Sequence, residues 1–158
     1  MKTIRKLLIA GVLIPLLIIS CTEEDDEYNY QYDGEIYFTV RYDSILYDLD
    51  DYVGFNLYMV TEEQFPATLN YIEIEEEYHT DEIGIHILDI IECEVCFMMP
   101  GPAVRKIPIS FESNSYKLVF YNAEYTDTYQ LNVLEDSVIV TTSGTSFTIY
   151  DHERAIYP

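Results

Sequence analysis

From residue 35 onward the chain alternates apolar and polar positions with a period of two, in one segment after another. A strand sends successive side chains to opposite faces, so each such run predicts one face in a core and the other toward water. Ile36, Phe38, Val40 and Tyr42 form the first set, and Val53, Phe55, Leu57 and Met59 the second. In the third, Ile72, Ile74 and Tyr78 are expected inside while Glu73, Glu75 and Glu77 face out. Residues 83–91 are apolar on both faces, through Ile85, Ile87, Leu88, Ile90 and Ile91, which predicts a central or bulged strand. Further sets are Cys93, Val95, Phe97 and Met99, then Ile107, Ile109 and Phe111, then Tyr116, Leu118 and Phe120. Tyr129, Leu131 and Val133, then Val138 and Val140, then Phe147 and Ile149 complete the pattern.

Turn signals separate these runs at Asp50-Asp51, Phe65-Pro66, Pro100-Gly101-Pro102, Ser113-Asn114, Asn122-Ala123-Glu124, Glu135-Asp136 and Ser143-Gly144. Only Thr61-Glu62-Glu63-Gln64 has the spacing of a helix start, and Pro66 follows it closely. Nine or ten short strands at such intervals predict an all-β, antiparallel two-sheet sandwich of immunoglobulin-like type over residues 34–158. A lipocalin-like barrel is the alternative.

The first twenty residues follow another rule. Lys2, Arg5 and Lys6 precede an uncharged run from Leu7 to Ile19, and the small residue Ser20 stands before Cys21. This is the layout of an export leader, a charged region followed by an apolar one and a small residue at the cut. The run is shorter than the ~20 apolar residues a permanent membrane helix needs, and Pro15 interrupts it. Ile18-Ile19-Ser20-Cys21 resembles the lipobox of bacterial lipoproteins. The resemblance implies that residues 1–20 are removed, that Cys21 carries lipid, and that the protein is held in a membrane by its acyl chains. Thr22 in place of Asp implies, by the same resemblance, that the protein is not retained in an inner membrane.

Residues 21–33 are expected to form a tether, because five consecutive acids, Glu23 to Glu27, repel one another and no periodicity follows. Their position directly after Cys21 is similar to the acidic export signal of Bacteroidetes-type surface lipoproteins. That resemblance implies an address on the outer face of the cell outer membrane. The pattern of residues 116–133 is likewise similar to the terminal hairpin of immunoglobulin-like domains in such lipoproteins, without the Cys and Trp spacing of antibody domains.

Charge narrows the partners. Of eight Lys and Arg, three lie in the leader, so five face 29 Asp and Glu in the remainder, a net charge of −24. Such a field repels phosphate backbones and argues against nucleic acid, while it favours solubility and a monomer. Sixteen Tyr and seven Phe with no Trp match the strand reading. Tyr37, Tyr58 and Tyr121 fall opposite the main apolar sets, where they could meet a glycan or a protein partner, or simply pack.

Candidate chemistry is sparse. Cys93 and Cys96 form a Cys-x-x-Cys, yet in a regular strand their Cα atoms lie about 10 Å apart, beyond the roughly 7 Å a disulfide tolerates. They are expected to pack as small apolar residues, with a disulfide as the alternative if a turn falls at Glu94-Val95. His79 and His86 could join them in a zinc site only on paper, because His-x₆-His is not a short ligand pair. Asp48, Asp50 and Asp51 suggest weak calcium binding, but Val53 stands where a calcium loop of the helix-loop-helix type requires Gly. No Gly-x-Ser-x-Gly elbow and no Gly-rich phosphate loop is present, so the chain is not expected to be an enzyme or to carry a cofactor; an accessory or binding module of the envelope is expected, with a structural or adhesin-type subunit assembling through strand edges as the alternative.

Overall fold

The computed structural model describes residues 29–47, 50–66, 69–92, 99–135, 137–142 and 144–151. Strands β1 (Ile36–Tyr47), β2 (Asp50–Phe65), β3 (Tyr71–Tyr78), β4 (Glu82–Ile91) and β5 (Gly101–Ile109) are followed by β6 (Ser115–Tyr121), β7 (Thr126–Val133), β8 (Val138–Thr142) and β9 (Thr148–Tyr150). No helix occurs among the described residues, and the chain is all-β there.

The strands do not divide into two sheets. They join one sheet in the order β8-β7-β6-β4-β3-β5-β2-β1-β9. Three neighbouring pairs, β1 with β9, β3 with β5 and β4 with β6, are parallel. The antiparallel immunoglobulin-like sandwich is therefore corrected to a single mixed sheet, nearly closed into a barrel. In a flat sheet of this order, β1 and β7 would lie six strand spacings, or about 29 Å, apart at ~4.8 Å per spacing. Instead the ring of Phe38 on β1 sits 4.7 Å from both Phe120 on β6 and Tyr129 on β7. Those contacts require the sheet to curl until its far strands share one interior. Alternation reports that a face is buried but not whether a second sheet or the same sheet covers it.

The inward sets match the sequence pattern. Ile36 and Phe38, Leu57, Ile72, Ile85 and Ile87, Ile107, Leu118 and Phe120, and Tyr129 and Leu131 are all fully or almost fully buried in one cluster. Filling this interior supplies the main stabilisation, at about 25 cal/mol per Å² of apolar surface removed from water. The doubly apolar segment is β4, which lies between β6 and β3 near the middle of the order. Its pairing with β3 shifts register between Glu73 and Ile74, so that Leu88 is an extra residue, a bulge. Tyr78 takes the inward parity but stands at the strand end and is half exposed.

Several local expectations change: Gly101 and Pro102 open β5 instead of forming a turn, Val53 is exposed, and Ile149 packs on the outer wall. Thr61 to Gln64 do not start a helix but continue β2, where the hydroxyl of Thr61 accepts from the Ala103 N–H at 2.9 Å beside a register shift. Asp50 and Asp51 are not a turn but open β2 opposite Tyr47 and Leu46, leaving only 48 and 49 between the strands. A long pairing of twelve residues between β1 and β2 outweighs the turn preference of Asp.

Tyr30, Gln31 and Tyr32, in the last part of the segment expected as a tether, lie against the barrel. Gln31 and Tyr32 both donate their N–H to the bulge carbonyl of Leu88, at 2.6 and 3.2 Å. The Tyr32 ring enters the core.

Candidate functional site

Three polar clusters and one recess stand out on the barrel. On the outer wall of β1, β2 and β5, Tyr37, Tyr58 and Val60 form a second small apolar cluster with Val104 and Ile149. Tyr58 donates its hydroxyl to the Asp43 carboxylate, 2.9 and 2.8 Å from its two oxygens. The Arg41 guanidinium and the Lys106 ammonium lie 5.6 and 5.2 Å from the centre of its ring. Each cation is attracted to the ring by ~0.5–1 kcal/mol, and their aliphatic stems shield it. Burial first, then the hydrogen bond and charge of Asp43, push the Tyr58 phenol up to about 12 against the opposing Arg41. Tyr58 is thus a fixed donor rather than an open recognition ring, and Tyr37 is equally buried.

On the outer wall of β3, β4 and β6, His86 is only 6% exposed. Its ring stacks on Tyr121 at 4.6 Å and 12°. Nδ1 lies 2.7 Å from the Tyr30 hydroxyl, and Nε2 lies 3.4 Å from Glu77. Glu77 also reaches His79 at 3.0 Å through its other oxygen. The tautomer that fits both partners carries its proton on Nε2, accepting from Tyr30 and donating to Glu77. Gly84 makes room for this cluster, since a Cβ there would lie 3.3 Å from that of Glu77 and 3.4 Å from the Tyr121 ring. Burial, followed by the charges of Glu82 and Glu77, raises the Tyr121 phenol. Beside it, Lys117 and Glu82 pair at 2.7 Å, which raises the lysine.

The third cluster closes the barrel. Asp127 on β7 is 1% exposed, and its carboxylate accepts from the backbone N–H of Ser146, Phe147 and Thr148 and from the Thr148 hydroxyl. Tyr129, two residues on, donates to the Thr148 carbonyl at 2.8 Å. Burial pushes its phenol up to about 12, so it too remains a donor.

At one rim, the rings of Tyr42, Phe55, Phe111 and Tyr116 meet in sequence, each centre 5.0–5.2 Å from the next. Two of these rings, Phe55 and Phe111, line a recess of about 370 Å³ together with Gly54, Glu112, Asn114 and Leu134, among others. That volume is in the range of small-ligand pockets, about 300–1,000 Å³.

Most residues singled out from the sequence stand apart from these sites. Cys21, Asp48, Cys93 and Cys96 lie outside the described residues. Asp50 and Asp51 are placed by their backbone only, at the start of β2. Among the described residues, no group of three or more His, Cys, Asp or Glu is arranged to hold a metal ion. Asp127 and the role of His86 were missed, although both carried a signal. Asp127 shares the inward parity of Tyr129, Leu131 and Val133, and an acid in that row must find buried donors. His86 lies between inward Ile85 and Ile87 and so faces out, where a buried imidazole needs partners from elsewhere in the chain.

No protein-family model, no curated protein and no solved structure matches this chain. Its function is therefore read from its residues and their arrangement.

Proposed function

We propose that this chain is a lipid-anchored protein of the bacterial cell envelope whose barrel is a non-enzymatic binding module, facing a glycan or protein partner at the outer membrane surface. The observation that carries the binding reading is the contrast between a filled interior and an open rim. Phe38, Phe120 and Tyr129 occupy the centre of the barrel, while the ring-bordered recess opens beside exposed Leu134. A nearly closed sheet is compatible with a lipocalin-like barrel, read here as one whose interior holds side chains instead of a ligand. Two buried polar groups, Asp127 and His86, are tied to structural partners, which suits a scaffold.

Support for the anchor comes from the leader and Ile18-Ile19-Ser20-Cys21. Tyr30 is held against the barrel, so the nine residue steps from Cys21 bound its distance to about 32 Å at ~3.5 Å per residue. Labelled palmitate fed to the native host tests the anchor: it should enter the protein and be lost in Cys21→Ser, and label that persists would sink the assignment. Protease treatment of intact cells should remove the barrel; resistance until lysis would place it on the inner side. Weak calcium binding at Asp48, Asp50 and Asp51 belongs to the same proposal, and calorimetric titration of the chain with calcium checks it.

A further inference from the structure

The sheet has two edges, β8 and β9, and they are treated differently. On β9, the N–H of Thr148 is taken by Asp127 and its carbonyl by the Tyr129 hydroxyl. Side chains from β7 thus cap this three-residue edge. β8 pairs with β7 alone, from Val133 opposite Val138 to Tyr129 opposite Thr142, and no other described strand reaches it. Alternate N–H and C=O groups along its other side therefore point away from the sheet.

The side chains agree with an unfinished wall. Val138 and Val140 face the core but are only partly buried, whereas Leu131 and Val133 beside them on β7 are buried. Ile139 faces out and is 53% exposed. Soluble proteins blunt open edges with charge, Pro or a bulge. Here residues 137–150 contain no Asp, Glu, Lys, Arg or Pro, the longest uncharged run after Cys21. The β7–β8 register runs without a shift. In a chain so rich in acid, an edge left neutral, straight and open has the form of a template for another strand.

We propose that β8 is a docking edge for an extended segment of a partner protein, uncharged and apolar at alternate positions, with basic residues at its flanks. The segment would continue the sheet beyond β8 and cover Val138 and Val140. A second copy of this chain fits less well, because two bodies of the same strong negative charge repel. Basic flanks would be drawn to the acidic body. The proposal names the contact surface of the binding reading and rests on it.

The test uses the full chain purified in mild detergent and a synthetic peptide, Lys-Lys-Val-Thr-Val-Thr-Val-Thr-Lys-Lys. Hydrogen exchange of residues 138–142 should slow on adding the peptide. Binding should weaken at least tenfold in the double variant Ile139→Lys/Thr141→Lys, whose exposed positions leave the core intact, and tenfold when Glu replaces the peptide's Lys. If the peptide protects a different surface and the double variant binds as well as the wild type, the edge assignment falls while the binding reading stands. Dimers that form with concentration and vanish in the double variant would overturn the partner in favour of self-pairing. Failure of the wild-type protein to take up palmitate label would remove the anchor reading and leave the edge result untouched.

Discussion

Asp127, on the strand next to one edge of the sheet, accepts both the backbone N–H and the hydroxyl of Thr148 on the opposite edge, each at 2.7 Å. The two residues are twenty-one apart in the chain. Their bond replaces a strand pairing that the topology never completes: backbone donors that would otherwise meet a neighbouring strand meet a carboxylate.

Removing that carboxylate should open the seam. Asp127→Ala leaves three N–H groups and a hydroxyl without their acceptor, and an unsatisfied buried group costs ~1–3 kcal/mol. We expect a loss of about 3–5 kcal/mol in urea unfolding, within the range for breaking a buried charged contact. Asp127→Asn, which keeps the shape and one acceptor, should lose less. A change below about 1 kcal/mol in Asp127→Ala would show that other contacts hold the barrel shut.

Alkali should unfold the protein in a defined window. Tyr58 and Tyr129 titrate at about 12 in the folded chain against an ordinary 10. Above pH 10 the unfolded chain releases these protons while the folded one keeps them, so stability is intact below pH 10 and falls as pH rises toward 12. The loss for each ring stays below the ~1.4 kcal/mol per pH unit of a fully desolvated group, because solvent screens part of it. Ultraviolet titration of phenolate, run beside thermal melts at pH 8 and pH 11, checks both the late ionisation and the weaker fold.

Phe38→Ala removes the ring shared by β1, β6, β7 and β9, which lies 4.7 Å from Phe120 and Tyr129 and 5.6 Å from Tyr150. A cavity at a fully buried Phe costs ~3–5 kcal/mol. Because the contacts with Phe120 and Tyr129 exist only in the curled sheet and the contact with Tyr150 lies on β9 itself, the variant should also speed exchange of amides in β9. Unchanged exchange there would mean that closure does not depend on this ring.

Gly34→Ala should disturb the N-terminal strap. A methyl at residue 34 would overlap the hydroxyl end of the Tyr32 ring, which is held in the core 6.4 Å from Phe65. Such overpacking costs about 1–3 kcal/mol. Tyr32→Phe shortens the ring where the overlap falls, so the double variant should be more stable than the sum of the single losses by ~0.5 kcal/mol or more. Strict additivity would place the clash elsewhere.

Much of the site lay beyond reach of the sequence for one reason. Tyr30 and His86 meet across fifty-six residues, and Asp43 is bound by Tyr58 from the neighbouring strand. Each of these residues looks ordinary in its own segment. The expectation that Tyr37 and Tyr58 face out was right in parity, yet they are buried, because Arg41, Lys106 and Ile149 from neighbouring strands lie on them.

The sequence by itself determined which side of most strands is apolar, where several turns fall, that residues 83–91 are apolar on both faces, and that the chain is strongly acidic. Alternation and charge are local properties, and burial follows from them residue by residue. Only the tertiary structure decided that the nine described strands make one mixed sheet, that Phe38 meets Tyr129, and that Asp127 caps one edge while no second described strand pairs with β8. Strand order and closure are set by contacts between segments far apart in the chain, and a repeating period carries no record of its distant partner.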